Sequence, residues 1–407
     1  MDPVTHLASG ALVAMALPGT RRSRWFMPFA LTGAVLPDAD ILFGSTPLDY
    51  LTVHRGITHS FAGGAVLALL LALLFLPLLR RAPLGPAAPD AASSGTDAAL
   101  AGLDAAPAGG VHAWGYARYA LIAYVLILVH IFLDCITTYG TQVFLPFSDY
   151  RVALPAVFIV DPVMTLVMLA CMVAAMGRTH RRTFAALGLA WMLLWPGGAL
   201  AVRQHVQSGL AARLAAQPVP PVSVAVIPEV LAPFNWKVVV DDGRRYGMAR
   251  YQLLHPDAPL ALELYDKPDP VLYRRLSEAE ELFRVYGRFA MFMTQENRQE
   301  NGAPVVAYRD LRFASTVPFM RMLRGEGMPF QLWARLSADG NLEGFRFVQG
   351  FSPSAADAPA SEDGVNGVSG ATGATGANGA SRANGANGAN GKPGAQGSAG
   401  GWVPVTR

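Results

Sequence analysis

The sequence predicts a polytopic α-helical membrane domain of five to six helices, then a small α+β soluble domain and a disordered glycine-rich tail. Hydrophobic residues make up 52% of the 407 residues and charged residues only 15%, whereas soluble domains carry about 25% charge. Residues 1–205 contain neither glutamate nor lysine, and both appear after that point. Glycine then recurs at every third position from Gly364 to Gly400, except at Arg382.

The predicted membrane domain, residues 1–205, rests on its apolar runs. The runs are Val4–Leu17, Trp25–Phe43, Phe61–Leu79, Tyr116–Tyr139, Val157–Met176 and Phe184–Val202. Asp2 and Pro3 suit the N-cap and the first residue of a helix, although the first run is short for a span of about 20 residues. Residues 82–115 are rich in Ala, Gly, Pro and Asp and are predicted to form a flexible loop.

Arginine clusters predict how the helices cross the membrane. The clusters are Arg21–Arg24, Arg80–Arg81 and Arg178–Arg182. Because basic loops stay in the cytoplasm, the loop 82–115 is expected to be cytoplasmic. The opposite helix ends and residues 218–350 would then lie on the outer, extracytoplasmic side of the membrane.

Residues 218–350 are predicted to form an α+β extracytoplasmic domain. The expected strands are Val222–Leu231, Trp236–Asp241, Arg250–Leu254, Ala261–Tyr265, Val305–Phe313, Gln331–Leu336 and Glu343–Val348. A capping box at Ser277–Glu280 predicts a helix that ends near Met293, and Asp339–Asn341 predicts a turn. The tail, residues 351–407, has the period of collagen but only Pro393 within the repeat, which favours disorder over a triple helix.

Seven metal-ligating side chains are concentrated near the predicted outer helix ends. They are His6, Asp38, Asp40, His54, His59, His130 and Asp134. His130 and Asp134 are four residues apart, so both project from one helix face. Asp38 and Asp40 cannot share a helical face, so one could bind a metal while the other orients a histidine. His6 joins this group if the first helix crosses the membrane.

The ligand types define a chemistry. Imidazole and carboxylate ligands without sulfur favour zinc first, with manganese or iron as alternatives; both cysteines lie inside apolar runs. With this many candidate ligands a two-metal arrangement is possible, and two metals with bound water would suit phosphoester hydrolysis. Asp40, His59 and Arg55 are the candidate catalytic residues, and Arg55 could hold a phosphate or carboxylate group. The net charge of only +3 and the absence of a basic, aromatic patch predict no nucleic-acid partner.

Simpler interpretations apply to some of these residues. A single histidine in a membrane helix, such as His6, is often only a hydrogen-bond partner. Asp161, which precedes Pro162, suits a helix N-cap. Four further histidines near loops are expected to be solvated: His112, His180, His205 and His255. The cluster could instead form a proton or ion pathway.

Several motifs together resemble the YdjM-like family of inner-membrane proteins, which are classed as metal-dependent hydrolases. The motifs are Thr5–His6 with Gly10, Pro37–Asp40, His54–Ser60, His130–Asp134 and Thr137–Gly140. The resemblance covers about residues 1–350. It implies a metal set made of His6, Asp38 or Asp40, His54, His59, His130 and Asp134. The family is distantly similar to zinc-dependent phospholipase C and P1-type nucleases, whose trinuclear zinc sites have further ligands that this sequence does not supply in full.

The leading hypothesis is therefore a hydrolase embedded in the lipid bilayer of the bacterial inner membrane, with its metal site and residues 218–350 facing the periplasm. It would act on a phosphoester or lipid-linked substrate through metal-activated water. Two other hypotheses are a non-enzymatic, ion-coupled transporter and an envelope scaffold protein whose outer domain binds a partner.

Overall fold

The computed structural model describes residues 1–17, 24–44, 46–81, 111–177, 179–218, 220–324, 328–350 and 402–405. The predicted loop over 82–110, most of the predicted tail and parts of the arginine clusters lie outside these residues. In the first half, the helices are α1 (Pro3–Ala16), α2 (Phe26–Val35), α3 (Pro47–Val53), α4 (Phe61–Arg81), α5 (Val111–Cys135), α6 (Pro162–Met176) and α7 (Arg181–Ala215). The 3-10 segment Leu36–Phe43 lies between α2 and α3, and a second one, Ile57–His59, lies between α3 and α4.

The structure confirms a domain of apolar helices. Among the residues that the structure describes, four segments are long and apolar enough to cross a membrane: Phe26–Phe43, Phe61–Leu79, Gly115–Cys135 and Arg181–Ala215. α1 and α6 are shorter apolar helices, so the crossing of five to six helices stays a prediction. Residues 111–115 belong to α5 rather than to the predicted loop. The fifth apolar run becomes helical only at Pro162, because Asp161 caps α6 by accepting a hydrogen bond from the Met164 amide at 2.9 Å.

α1 is the central helix of the bundle, with ten of its 14 residues buried. Asp2 caps it as predicted, accepting from the Thr5 amide at 3.0 Å. A Cβ at Gly10 would lie 2.5 Å from the Ala34 Cβ of α2, so that only glycine permits this contact between the two helices. This packing fixes α1, and with it His6, against the neighbouring helices.

The second half is a small domain of two antiparallel sheets, which confirms the predicted change of fold. Its strands are β1 (Ser223–Pro228), β2 (Asn235–Asp241), β3 (Arg245–Gln252), β4 (Glu263–Asp266), β5 (Met293–Glu300), β6 (Ala303–Asp310), β7 (Gln331–Leu336), β8 (Leu342–Val348) and β9 (Val403–Pro404). They pair in the orders β1-β2-β3-β4 and β5-β6-β7-β8-β9. The helices of this part are α8 (Pro270–Ala279), α9 (Glu281–Phe289) and α10 (Pro318–Arg324).

The core of this domain continues into the helical part. Trp236 and Val238 of β2 pack with Val206 and Leu210 of α7. The other face of β2 carries Lys237, whose Nζ donates to backbone carbonyls that follow β6. The same Nζ lies 3.4 Å from the buried carboxylate of Glu229, and burial lowers the Lys237 pKa. β2 is therefore held on both faces.

The prediction of one helix from Ser277 to about Met293 is wrong, because the structure has two helices, α8 and α9, in this region. α8 begins earlier, because Asp269 caps it by accepting from the backbone amides of the next turn. Ser277 lies inside this helix and donates to the Tyr273 carbonyl at 2.8 Å instead of capping. The chain is extended at Glu280, with φ −144°, before α9 begins.

Two further differences concern the strands. The polar strand β5 was not predicted. β9, within the predicted disordered tail, pairs with β8 through Phe345 and Val403. The turn before β8 is confirmed: Gly340 has φ +77°, a conformation that favours glycine.

Candidate metal centre

Three chain segments, the two 3-10 segments and α5, bring ligand-type side chains together at one place in the bundle. They contribute one ligand atom each from Asp38, His59, His130 and Asp134, and these atoms all lie within 4.8 Å of one another. The His59, His130 and Asp134 side chains are at most 1% exposed, while the Asp38 side chain is 26% exposed. This group could hold a metal ion, and Asp38 is on its open side.

The Nε2 atom of His59 is central to the group. It lies 3.2 Å from Asp134 Oδ2, 3.4 Å from Asp38 Oδ1 and 3.1 Å from His130 Nε2. Two imidazole nitrogens and two carboxylates thus face one point. Such a convergence of lone pairs is typical of a cation site.

The opposite ring nitrogens of both histidines face oxygen acceptors. His130 Nδ1 lies 2.7 Å from the Ala34 carbonyl oxygen, which can only accept, so this nitrogen carries the proton. His59 Nδ1 lies 3.2 Å from Asp40 Oδ2. In both rings Nε2 is the nitrogen available to a metal, and metal-binding histidines usually have their other nitrogen held in this way.

Asp40 is directed at the loop that carries the histidines rather than at the ligand group. Its carboxylate accepts from the Arg55 amide at 3.0 Å and from Thr58 Oγ1 at 3.1 Å. It also lies 3.0 Å from His54 Nδ1. Asp40 and His54 were predicted as metal ligands, but the structure places both beside His59, outside the group of four.

The short turn around His59 is fixed by its own backbone and hydroxyl groups. Arg55 has φ +57°, which turns the chain between the two histidines. Ser60 caps α4, since its Oγ accepts from the Gly63 amide at 2.9 Å. Thr58 Oγ1 lies 3.0 Å from His59 Nδ1 and so helps to orient the ring.

The guanidinium of Arg55 is already paired within the site. Its Nη2 lies 3.0 Å from Asp134 Oδ1, and its Nη1 donates to Thr137 Oγ1 at 3.1 Å. Its Cζ lies 4.7 Å from the centroid of the Tyr139 ring. The Met1 amino group also donates to Asp134 Oδ1. Arg55 therefore balances the charge of the buried carboxylate.

The imidazole ring of His6 lies beside the group. Its ring stacks on His130 at 3.9 Å, and its Nε2 is 3.4 Å from Asp134 Oδ1. Neither ring nitrogen of His6, nor Asp134 Oδ2, has a hydrogen-bond partner among the described residues. Buried polar atoms without partners are unfavourable. A bound divalent cation would satisfy His6 Nε2 and Asp134 Oδ2, so the donor set fits a metal.

The charge state of His59 depends on its acidic neighbours. Burial by itself would lower its pKa, but Asp134, Asp38 and Asp40 outweigh that effect and raise the pKa of His59 to about 10 in the metal-free protein. His59 is thus protonated at neutral pH without metal. A metal that binds Nε2 must displace this proton.

The remaining predicted residues have structural roles. Asp161 is the N-cap described above, and it also accepts from Trp195 Nε1 at 3.2 Å. His180, His205 and His255 are exposed, as expected for solvated side chains. The His112 side chain lies outside the part of the chain that the structure describes.

Sequence reasoning missed three groups around the site. The Ala34 carbonyl is a backbone atom, so no side-chain pattern indicates it. Thr58 lies between two predicted ligands, which is a usable signal because metal-bound histidines need oxygen partners. Tyr139 lies in a motif of the family resemblance, but its contact with Arg55 requires the tertiary structure.

Together, the apolar helices and this buried group define a membrane protein with a possible metal site. The family model described as YdjM inner membrane protein matches residues 1–219. The chain belongs to this family. The match ends just after α7, earlier than the sequence resemblance suggested, and the two sheets lie beyond it. No match was found among curated proteins or solved structures.

Proposed function

We propose that this protein is a metal-dependent hydrolase of the bacterial inner membrane. The observation that carries the proposal is the convergence of His59 Nε2 and His130 Nε2 with two carboxylates, while both Nδ1 atoms face oxygen acceptors. The proposed cofactor is a divalent cation, with zinc first and manganese or iron as alternatives. When bound, such an ion would supply Lewis acidity toward a substrate oxygen and would lower the pKa of water.

The side chains have separate proposed tasks. Asp38, His59, His130 and Asp134 would hold the ion, and His6 offers a further nitrogen. Asp40 would orient His59, and Arg55 would keep Asp134 ionised and in place. Since Asp40 and His54 bond to each other, the geometry supports one ion better than two. Arg55 would act on Asp134 rather than directly on a substrate phosphate.

The open side of the site supports an amphiphilic substrate. A 3-10 helix has three residues per turn, so Ile41 lies on the same face as Asp38. Ile41 is 49% exposed and the next residue, Leu42, is 83% exposed. Both belong to the end of the candidate span Phe26–Phe43. A lipid-linked or phosphorylated substrate could present its polar group at Asp38 and its hydrocarbon chain along Ile41.

The proposed orientation follows from the arginine clusters: the metal site and the sheet domain face the periplasm. A cysteine at Asp242, an exposed turn residue after β2, tests it in a variant without Cys135 and Cys171. A membrane-impermeant maleimide should label this cysteine in spheroplasts without lysis. Labelling that requires lysis would reverse the orientation.

The decisive test combines metal content with turnover. His59→Ala and Asp134→Ala should remove both the bound metal and the hydrolysis of lipid phosphoesters, while the proteins still insert into the membrane. His255→Ala, at an exposed histidine, is the matched control and should retain both. Wild-type protein without stoichiometric zinc, manganese or iron would overturn the proposal. Metal-loaded protein that hydrolyses no phosphoester or lipid-linked substrate would overturn the enzymatic part.

An ion-coupled transporter is the second candidate. The observation in its favour is the near-complete burial of His59, His130 and Asp134 beside candidate spans, since buried Asp and His residues in membranes also form ion pathways. This hypothesis predicts ion-dependent flux in liposomes and no phosphoester turnover. Turnover without flux would exclude it.

A further inference from the structure

One buried arginine of the sheet domain reaches the chain segment that follows the metal centre. Arg312, just after β6, is 6% exposed. Its Nε donates to Asp310 Oδ2 and its Nη2 to the Phe289 carbonyl, both at 2.6 Å. Its Nη1 donates to the carbonyls of Thr138 and Tyr139 at 3.0 and 3.1 Å. One guanidinium thereby joins the sheet domain to the loop that follows α5.

The same loop is held from the other side by the metal centre. Arg55 Nη1 donates to Thr137 Oγ1, and the Arg55 Cζ lies 4.7 Å from the Tyr139 ring centroid. Arg55 Nη2 then pairs with Asp134 at 3.0 Å. Residues 137–139 are thus fixed between Arg55 and Arg312. An unbroken series of contacts runs from β6 to a proposed metal ligand.

We propose that Arg312 is a positioning residue for the metal centre. By holding the Thr138 and Tyr139 carbonyls, it fixes the Tyr139 ring and thereby the place where Arg55 meets Asp134. Without Arg312, both carbonyls would lose this donor, and the loop would shift to find other partners or water. The inference rests on the metal site proposed above, but it does not depend on hydrolysis.

A merely structural arginine would affect stability alone. Trp236→Leu is the matched control, because Trp236 is fully buried in the same domain yet packs toward α7, away from residues 137–140. Both Arg312→Met and Trp236→Leu should lower the melting temperature. Only Arg312→Met should also weaken metal binding, by about tenfold, the lower end of the effect of losing a group that orients a metal ligand.

The experiment is a Zn²⁺ titration of the full-length protein in detergent micelles, in competition with a chromophoric chelator. Arg312→Lys should bind zinc with intermediate affinity, because an ammonium can donate to carbonyls but lacks the planar fork. If Arg312→Met does not fold, the zinc affinity of Arg312→Lys still tests the inference.

Two results would overturn the inference while the proposed metal site stands. One is wild-type zinc affinity in both Arg312 variants, and the other is an equal loss of affinity in Trp236→Leu. If the wild-type protein binds no zinc, manganese or iron, the proposed metal site is wrong, and the inference about Arg312 fails with it.

Discussion

Asp40→Asn tests whether Asp40 orients His59 or binds the metal itself. The Asp40 carboxylate lies close to four groups: the amide of Arg55, Thr58 Oγ1 and the Nδ1 atoms of His54 and His59. An amide of the same shape has one oxygen and no charge, so at least one of these groups must face its NH₂. His59 Nδ1 then loses its charged partner, while the ligand group Asp38, His59, His130 and Asp134 is unchanged.

The expected magnitude follows from this role. Loss of a group that orients a metal-bound histidine weakens metal binding by about 10–100-fold, or roughly 1.4–2.7 kcal/mol. We expect Asp40→Asn to bind zinc more weakly within that range, measured by competition with a chelator. Asp149→Asn is the control, because the Asp149 side chain is 71% exposed and pairs with Arg288 only at the surface.

Either extreme would refute this reasoning. Unchanged zinc affinity in Asp40→Asn would mean that its contact with His59 has no effect on the metal. Complete loss of zinc binding, with the fold intact, would instead make Asp40 a ligand, as the sequence alone allowed.

Further predictions concern pH, a close backbone contact and a buried cation. Zinc affinity should rise between about pH 6 and pH 8, by up to about tenfold per unit, because His59 has its pKa raised to about 10 and must release its proton; an affinity independent of pH would contradict this. Gly63→Ala would place a Cβ 1.9 Å from a backbone carbonyl oxygen of the His59 turn, so zinc content and melting temperature should both fall. Gly209→Ala, at a position in α7 with nothing within 4 Å among the described residues, should leave zinc content unchanged and should not lower the melting temperature. Lys237→Met leaves its carboxylate partner Glu229 buried without a cation, which should lower the free energy of unfolding by about 3–5 kcal/mol in denaturant titration; an unchanged value would show that the pair adds no stability.

The sequence predicted the site best where its geometry is local. His130 and Asp134 share a helix face because they are four residues apart, and the structure brings both to one point. The spacing of Asp38 and Asp40 predicted two different roles, and the structure directs Asp38 at the ligand group and Asp40 at the histidine loop. These inferences needed only helical periodicity and the preferences of metal ligands.

Contacts between residues that are far apart in the sequence could not be predicted from helical periodicity or ligand preferences. Arg55 and Asp134 are 79 positions apart, and Arg312 is 174 positions from Thr138. Nothing in the pattern of either segment indicates such a partner. The sequence alone therefore suggests that Arg55 could hold a phosphate or carboxylate group, whereas in the structure its guanidinium is paired with Asp134.

The errors in the sheet domain have a local physical cause. Ser277 and Glu280 match a capping box, but Asp269 before Pro270 is the stronger start signal and was overlooked. β5 has the sequence MTQENRQE, which lacks the alternation of apolar and polar residues expected for a half-buried strand. It is a strand because β6 supplies its backbone hydrogen bonds along its whole length.

The central claim is that His59 and its neighbours hold a metal ion. Elemental analysis of the purified wild-type protein, with His59→Ala measured in parallel, tests it most directly. We expect at least one zinc, manganese or iron ion per wild-type chain and a clear loss of bound metal in His59→Ala. Wild-type protein without stoichiometric metal, or equal metal content in both proteins, would contradict it.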